Sequence, residues 1–413
     1  MAKNAGVAGV PVSGTMYRLH DHRAPHEDRM SWQSTDRGFG GWLHPEPPVA
    51  PVPGTLNQLF RMASLAEARP AALLRVGAGG WRPLSDARLA RRVEWLAHYL
   101  SAVFEVRPGD QVAIASDLRQ EWLLADLAIM SLGATSVAIE PDLPAAMLLH
   151  SIQATEPRIL FASGDVLGRL RMIRSHVPPL IPVIAFDSPH RWGGPIPLAA
   201  ALDAGSVHGV GRRSGELRKS AWNVAPEAAA CCHYAGYQDG HVECVELTHA
   251  EAFARVVGGW IRPLSRAGER VYVAGPRVTL RTRLAMYAAL GDGYSVLVLG
   301  TPGHEREEIR ELRPGKIIAP PALLEGLVWG PPASHGEGRI GDLGALVRAT
   351  LRRVMTGRGR ADQHGLRKAL GGRIRWVAST EIMEPELSAR LSSIAVVGPS
   401  FAASGTARRM PGD

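Results

Sequence analysis

The chain has 413 residues with a formal net charge of +8, and 46% of its residues are hydrophobic and 21% charged. These values are typical of an ordinary soluble protein with room for two or more compact subdomains. The positive charge comes from arginines spread along the chain, since only four residues are lysines. Charge that is scattered in this way does not favour a nucleic-acid partner.

The cysteines and the apolar pattern indicate the compartment. Cys231, Cys232 and Cys244 are too few and too clustered for a disulfide framework, which favours a reducing cytoplasm. The N-terminal residues lack the apolar core of a signal peptide, and no apolar run approaches the length of a membrane span. We therefore expect a cytoplasmic protein without a transmembrane segment.

Residues 1–52 are rich in proline, glycine and histidine and show no sustained period, which predicts a disordered or extended arm. The arm carries metal-binding side chains at His20, His22, His26 and His44, but a surface arm is the preferred interpretation. The pattern becomes regular at Thr55, where apolar residues at helical spacing run to Pro70.

A β/α alternation follows this first helix. The stretch AALLRV predicts a strand, and a glycine turn separates it from a helix with Ser85 as its N-cap. Then come the turn VRPGD, the buried strand QVAIAS, the helix EWLLADLAIMSLG and the strand ATSVAIEP. Short connections between strand, helix and strand predict a parallel, doubly wound sheet, so the fold class is α/β.

The alternation recurs later in the chain, so we expect two lobes. The first α/β lobe covers 53–186, connecting loops follow at 187–225, and the second α/β lobe covers 226–395. A basic, glycine-interrupted insert at 331–368 predicts a solvated, partly helical surface on the second lobe. The remaining residues, 396–413, are expected to form a flexible tail.

Long segments of the chain resemble the adenylate-forming (AMP-binding) superfamily, in particular the N-terminal domain of long-chain acyl-CoA synthetases. That family typically reads W-R-P-L-T-[WY]-x-E-L-A and V-x-P-G-D-R-V-A-I-L-S-x-N-R-x-E-W-L-x-A-D-L-A, where this chain has WRPLSDARLA and VRPGDQVAIASDLRQEWLLADLA. The resemblance implies two doubly wound β/α lobes packed face to face. Because the sequence ends at Asp413, it also implies a truncated chain without the family's β-barrel subdomain and C-terminal lid.

The family's phosphate-binding loop falls on residues 234–249, YAGYQDGHVECVELTH, where relatives carry Y-T-S-G-T-T-G-x-P-K-G-V-x-L-T-H. Such a loop turns backbone N–H groups, small hydroxyls and a lysine toward phosphate oxygens. Here an acid, Glu243, stands at the lysine position, and Tyr237 adds bulk where the backbone must approach a ligand. The degenerate loop positions are Ala235, Gly236, Tyr237, Gln238, Asp239, Gly240 and Glu243.

Other motifs of the family are altered as well. The histidine and glutamate of P-L-A-H-x-x-E fall on Val278 and Arg281, and valine has no donor for an acyl or carboxylate pocket. In the S-G-G-A-P turn, Ser379 and β-branched Thr380 replace the glycines that let the backbone pass close to adenine. The family's G-Y-G-x-T-E motif has no counterpart in LSSIAVVGPSFAASGTARRM.

The resemblance, with these changes, predicts a homologue that has lost ATP-dependent acyl adenylation and acts as a non-catalytic binding or regulatory protein. No cofactor is expected, whereas active relatives use ATP and Mg²⁺. Two kinds of ligand stay open. One is a protein partner, either an active acyl-CoA synthetase or a second copy, and the other is a residual acyl ligand between the lobes. The alternative function is a divergent acyl-activating subunit that a partner bearing the lid completes in trans.

Sulfur and imidazole side chains around the altered loop raise the question of zinc, at Cys231, Cys232, His233, His241, Cys244 and His249. Only Cys244 and His249 approach the usual ligand spacing, and adjacent Cys231 and Cys232 on a strand would face opposite sides. Buried structural cysteines are therefore preferred.

Two further interpretations of this segment stay open beside plainer ones. Cys244 and His249 could form a nucleophile–base pair, although His249 is already explained as the start of a helix. Asp239, Glu243 and Glu246 could bind a cation, although a solvated loop or a patch that meets an arginine-rich surface is preferred.

Overall fold

The fold consists of two β-sheets with helices on their faces. A computed structural model describes residues 54–64, 70–75, 80–172, 181–187, 194–208, 212–238, 241–258, 265–329, 360–398 and 407–409, with the backbone alone for 62–64, 71, 73–75, 212–214, 234–238, 241–243, 360–362 and 407–409. These residues belong to one compact unit, Val49–Asp413. The predicted arm at 1–52 lies outside the described residues, as does most of the predicted insert.

The strands in chain order are β1 (Pro70–Arg75), β2 (Trp81–Ser85), β3 (Gln111–Ala115), β4 (Thr135–Ile139), β5 (Leu160–Ala162), β6 (Val183–Ala185), β7 (Ile196–Pro197), β8 (Ala229–Gln238), β9 (His241–Thr248), β10 (Arg270–Val273), β11 (Val296–Leu299), β12 (Lys316–Ala319), β13 (Trp376–Ser379), β14 (Val396–Val397) and β15 (Ala407–Arg409).

The helices in chain order are α1 (Leu56–Ser64), α2 (Asp86–Phe104), α3 (Gln120–Ser131), α4 (Ala145–Thr155), α5 (Gly164–Met172), α6 (Leu198–His208), α7 (Arg212–Trp222), α8 (His249–Val257), α9 (Leu280–Gly291), α10 (Glu305–Leu312), α11 (Pro321–Trp329), α12 (Arg360–Ala369) and α13 (Pro385–Ser392). The predicted N-cap is confirmed, because the Ser85 side chain accepts a hydrogen bond from the Arg88 N–H at the start of α2.

Both sheets are mainly parallel, as the β/α alternation predicts. Among the described residues, sheet A has the strand order β14–β13–β12–β10–β11–β1–β2, with only β1 and β2 antiparallel. Sheet B has the order β15–β9–β8–β4–β3–β5–β6–β7, in which the pairs β15–β9 and β9–β8 are antiparallel and the other pairs are parallel. The predicted α/β class with parallel sheets is therefore confirmed.

The main hydrophobic core lies between the two sheets. It contains Val273 and Leu297 from sheet A and Ile114 and Ala138 from sheet B, together with residues of α3, α8 and α9. The inner helix α3 is apolar almost all round, since every residue from Trp122 to Met130 is buried. A helix that is hydrophobic on all faces belongs in such an interior.

The prediction of connecting loops at 187–225 is wrong, because helices α6 and α7 occupy much of this stretch. Helix α6 packs against α2, and Gly205 lies at the contact. A Cβ at Gly205 would overlap the Trp95 carbonyl oxygen of α2. Gly205 is therefore a packing position inside a helix.

The chain boundaries predicted for the lobes do not match the membership of the sheets. Strands β1 and β2, from the predicted first lobe, join sheet A, whereas β8 and β9, from the predicted second lobe, join sheet B. The predicted flexible tail also contains β14 and β15, which extend sheets A and B. These pairings are long-range, and the order of elements along the chain does not reveal them.

Candidate functional site

The carboxyl ends of parallel strands from both sheets meet at one edge of the fold. Glu140 directly follows β4 of sheet B, and Arg277 follows β10 of sheet A. The Arg277 Nη1 group donates a hydrogen bond to Glu140 Oε2 over 3.0 Å, so an ion pair joins the sheets here. In open α/β sheets, ligands bind outside the carboxyl ends of the strands. We call this place the carboxyl-edge site, and it comprises Glu140, Arg277, Val278, Arg281, Ser379 and Thr380.

Arg281 projects from the first turn of α9 onto the end of β13. Its Nη1 group donates a hydrogen bond to the Ser379 carbonyl oxygen over 3.2 Å. Burial lowers the pKa of Arg281 to about 10, and the nearby Glu381 carboxylate offsets part of that effect. The guanidinium group remains charged at neutral pH, so a cation lies against this turn.

The turn after β13 is closed by its own hydrogen bonds. Ser379 and Thr380 are buried, the Thr380 N–H donates to the Ala319 carbonyl, and the Glu381 N–H donates to Ser379 Oγ. Val278 is buried nearby, just before the cap of α9. Four of the predicted site residues, Val278, Arg281, Ser379 and Thr380, thus come together at the same edge.

The segment aligned with the phosphate loop forms a β-hairpin. Across β8 and β9, Gly236 pairs with Glu243, Tyr237 with Val242, and Gln238 with His241, after a shift of register at Ala235. Antiparallel pairing of this kind engages backbone N–H groups in the ladder, which leaves fewer of them to face a ligand. Asp239 and Gly240 lie outside the described residues.

His233 is a buried histidine whose pKa is influenced by Arg277 of this edge. It lies on β8, opposite Ala138 and Val245, and its Nδ1 atom has no hydrogen-bond partner within the described part of the chain. Burial, together with the Arg283 and Arg277 cations, lowers the pKa of His233 to about 4. The imidazole is therefore neutral at pH 7.

The cysteines differ in part from expectation. Cys231 and Cys232 are buried and face opposite sides of sheet B, as predicted, because Cys231 belongs to the core between the sheets and Cys232 to the core on the outer face. The cysteines were expected to be too few and too clustered for a disulfide framework, whereas Cys232 and Cys244 form a disulfide with a Cα–Cα distance of 6.2 Å. The hairpin register causes this pairing, because Cys244 lies opposite Tyr234, two residues from Cys232.

The disulfide and the burial of the histidines also bear on the metal and nucleophile interpretations. Across the residues that the structure describes, no group of three or more His, Cys, Asp or Glu side chains is arranged to hold a metal ion. His249 begins α8, and burial lowers the pKa of its imidazole to about 4. With its sulfur in the disulfide, Cys244 offers no thiolate to that histidine.

Glu140, Arg277 and His233 were not assigned to a site from the sequence, except that His233 was considered for zinc. A signal was present, because Glu140 and Arg277 each follow a predicted buried strand at its carboxyl end. Charged residues at that position are candidates for ligand contact in a doubly wound sheet. What the sequence lacked was the relative placement of the two sheets.

The fold agrees with comparisons to known proteins. The family model for AMP-binding enzymes matches residues 62–394. Over 84% of its length, the chain superimposes with a TM-score of 0.60 and 16% identity on 76% of the inhibitor-bound N-terminal domain of FACL13 from Mycobacterium tuberculosis. Over 83%, it superimposes with a TM-score of 0.60 and 16% identity on 50% of acetoacetyl-CoA synthetase from Streptomyces lividans. The chain belongs to the AMP-binding enzyme family.

A sequence comparison points to acyl-CoA ligases within this family. The chain is 25% identical over 268 residues to the long-chain-fatty-acid–CoA ligase FadD15 of Mycobacterium bovis, a match that covers 63% of this chain and 43% of that protein. The chain thus spans less than half the length of this curated relative. In the described ranges, no helix combines the length and the apolar character needed to cross a bilayer.

Proposed function

We propose that this chain is a non-catalytic member of the AMP-binding enzyme family, which has lost acyl adenylation and acts by binding. Its ligand would be a protein partner, either an active acyl-CoA synthetase or a second copy, or a residual acyl group. The observation that carries the proposal is the hydrogen bond from Arg281 to the Ser379 carbonyl. It puts a guanidinium group against the turn that, in the resembling enzymes, lets the backbone approach adenine.

Two further features support the loss of adenylation. The ion pair between Arg277 and Glu140 spans the two sheets at the carboxyl edge, so it engages both side chains where a nucleotide would approach. At the loop, Glu243 stands in the lysine position, and the surrounding backbone is paired in a hairpin. Stabilising a transferring phosphoryl group requires cations placed in advance, and an acid at that point opposes it.

The test is a calorimetric titration of the chain with Mg·ATP, in the presence and absence of a fatty acid, with an active acyl-CoA ligase measured in parallel. We expect heat of dilution alone from this chain and saturable binding by the ligase. Pyrophosphate exchange provides a second readout, and the chain is expected to give none. Acyl-adenylate formation by the purified chain would overturn the proposal.

Two variants distinguish the possible causes of lost Mg·ATP binding. One cause is a site blocked by the Arg281 side chain, and the other is the altered phosphate-binding loop. Arg281→Ala removes the guanidinium from the Ser379 turn, and Arg107→Ala, at an exposed turn far along the chain, serves as a control. If the altered loop is the main cause, neither variant gains affinity for Mg·ATP. Saturable binding by Arg281→Ala alone would mean that the nucleotide site persists and that one side chain blocks it. Exchange activity that appears only when a lid-bearing partner is added would instead support the split enzyme.

A further inference from the structure

A second concave site lies at the edge of the fold opposite to the carboxyl-edge site. Helices α3 and α9 each follow a parallel strand and run back along it, so their last turns lie where the strands begin. A cavity of about 120 Å³ opens there between α1, α2, α3 and α7, and it reaches Leu290 at the end of α9.

The walls of this cavity are predominantly apolar. Side chains from five helices contribute to them, namely Phe60, Leu89, Val93, Leu127, Leu217 and Leu290. Because the walls come from separate helices that also pack on the main core, they are held in place without a ligand. A preformed apolar cavity favours a hydrocarbon group.

Polar side chains at the cavity form hydrogen bonds within the protein. The Asn57 amide donates to the carbonyls of Met130 and Ala221, which ties α1 to α3 and α7. The Ser131 hydroxyl donates to the Ala128 carbonyl. Asn57 and Ser131 therefore need no hydrogen bond from a ligand, which favours an apolar group beside them.

The mouth of the cavity is charged and open to water. Glu94 Oε1 pairs with Arg218 Nε at 2.8 Å and with Arg61 Nη1 at 3.9 Å, and the side chains of both arginines are partly exposed. Trp222 stands beside them and is 45% exposed. The polar end of a bound molecule can thus remain hydrated at this rim while its apolar part lies inside.

We propose that this cavity binds the hydrocarbon part of a small amphipathic molecule, a short alkyl chain or a single ring, whose polar end stays in water beside Arg61, Glu94 and Arg218. The size is suitable, because an engineered apolar cavity of roughly 150 Å³ in another protein binds benzene. The site is independent of the proposed loss of adenylation, since it lies at the other edge of the sheets and involves no nucleotide.

The probes are octanol and octanoate, which share a chain and differ in the polar end. We expect both to bind saturably by calorimetry, with dissociation constants that agree within about threefold, because the chain supplies the binding energy. If octanoate binds more than about tenfold tighter than octanol, the protein contacts the carboxylate, which would contradict the inference that the polar end stays in water. Absence of saturable binding by either probe would overturn the site.

Matched variants on one helix test the location. Ala90 lines the cavity and Ala87, on the same helix α2, is exposed and does not. Ala90→Leu fills part of the cavity and should weaken octanol binding by about tenfold or more, whereas Ala87→Leu should leave it unchanged. Ala221→Leu, from α7, repeats the test on a second wall if Ala90→Leu lowers the melting temperature strongly. Equal affinity in all three variants would place the binding elsewhere and overturn the proposal.

Discussion

Arg283 and Asp126 form an ion pair with no exposed side-chain surface. The pair joins α9, which follows a strand of sheet A, to α3, which follows a strand of sheet B. Tyr287 completes the group by donating its hydroxyl to Asp126 Oδ2 over 2.5 Å. Arg283 also donates to the carbonyls of Cys232 and Ser136 and lies over the Trp122 ring. Burial alone lowers the pKa of Arg283, but the attraction and hydrogen bond of Asp126, together with Tyr287 and Cys231, outweigh burial and raise the pKa, so the guanidinium group is charged.

Removal of either member of this pair should destabilise the fold strongly. Asp126→Ala leaves the Arg283 cation buried without its counter-charge, and we expect the free energy of unfolding to fall by about 3–5 kcal/mol. The double variant Asp126→Leu with Arg283→Met should lose much less, because neither charge remains. Urea denaturation measures both effects. Arg107→Ala, in an exposed pair with Glu105, is the control and should change stability by less than about 1 kcal/mol. Additive losses in the double variant would contradict the pairing.

Thiol reactivity tests the disulfide and, with it, the predicted compartment. The chain has three cysteines, and with Cys232 bonded to Cys244 only Cys231 is free. Titration with a thiol reagent in denaturant should therefore detect one thiol without reductant and three with it. Reduction should lower the free energy of unfolding by about 2–3 kcal/mol, since the bond closes a short loop. Three reactive thiols before reduction would contradict the bond and agree with a reducing cytoplasm.

Two buried histidines should make stability fall in mild acid. The pKa values of His233 and His249 are lowered to about 4, chiefly by burial, whereas a histidine in the unfolded chain titrates near 6.5. Between these pH values the unfolded chain binds protons that the folded chain does not bind. The free energy of unfolding is therefore highest above pH 6.5 and falls as the pH decreases toward 4.

The expected loss between pH 7 and pH 5 is about 2 kcal/mol for each histidine. Denaturation curves across this range in His233→Gln and His249→Gln should each show a smaller dependence on pH than the unmodified chain. His364→Gln, at an exposed position of α12, is the control. An unchanged pH dependence in both buried-site variants would show that these imidazoles do not carry the effect.

Two helical glycines should respond in opposite directions to the same substitution. Gly205→Ala places a Cβ on the Trp95 carbonyl, so we expect a loss of about 2 kcal/mol or more as α6 moves away from α2. Gly215→Ala, in α7, meets no atom within 4 Å and should stabilise by up to about 1 kcal/mol through helix propensity. Melting temperatures of the two variants measure this contrast. A stable Gly205→Ala protein would argue against close packing of α6 on α2.

Patterns among neighbouring residues predicted the local structure. They did not predict the contacts between segments that are distant along the chain. The cap at Ser85 and the buried strand at 111–115 follow from nearby residues, and both are confirmed. The bond between Cys232 and Cys244 depends on the register of a hairpin, which one shifted residue changes. The Arg277–Glu140 pair depends on how two sheets approach each other, and no spacing within one chain segment encodes that distance.

The pairing of β1 with β11 has a consequence for biosynthesis. Ala72 and Leu297 are neighbours in sheet A, yet the strands of sheet B from β3 to β9 are all translated between them. The hairpin of β1 and β2 therefore leaves the ribosome early. The edge of β1 that pairs with β11 stays unpaired until β11 has been translated. An unpaired strand edge on a nascent chain is prone to mispairing and aggregation. Slow refolding and a need for chaperones are thus expected from the order of the strands alone.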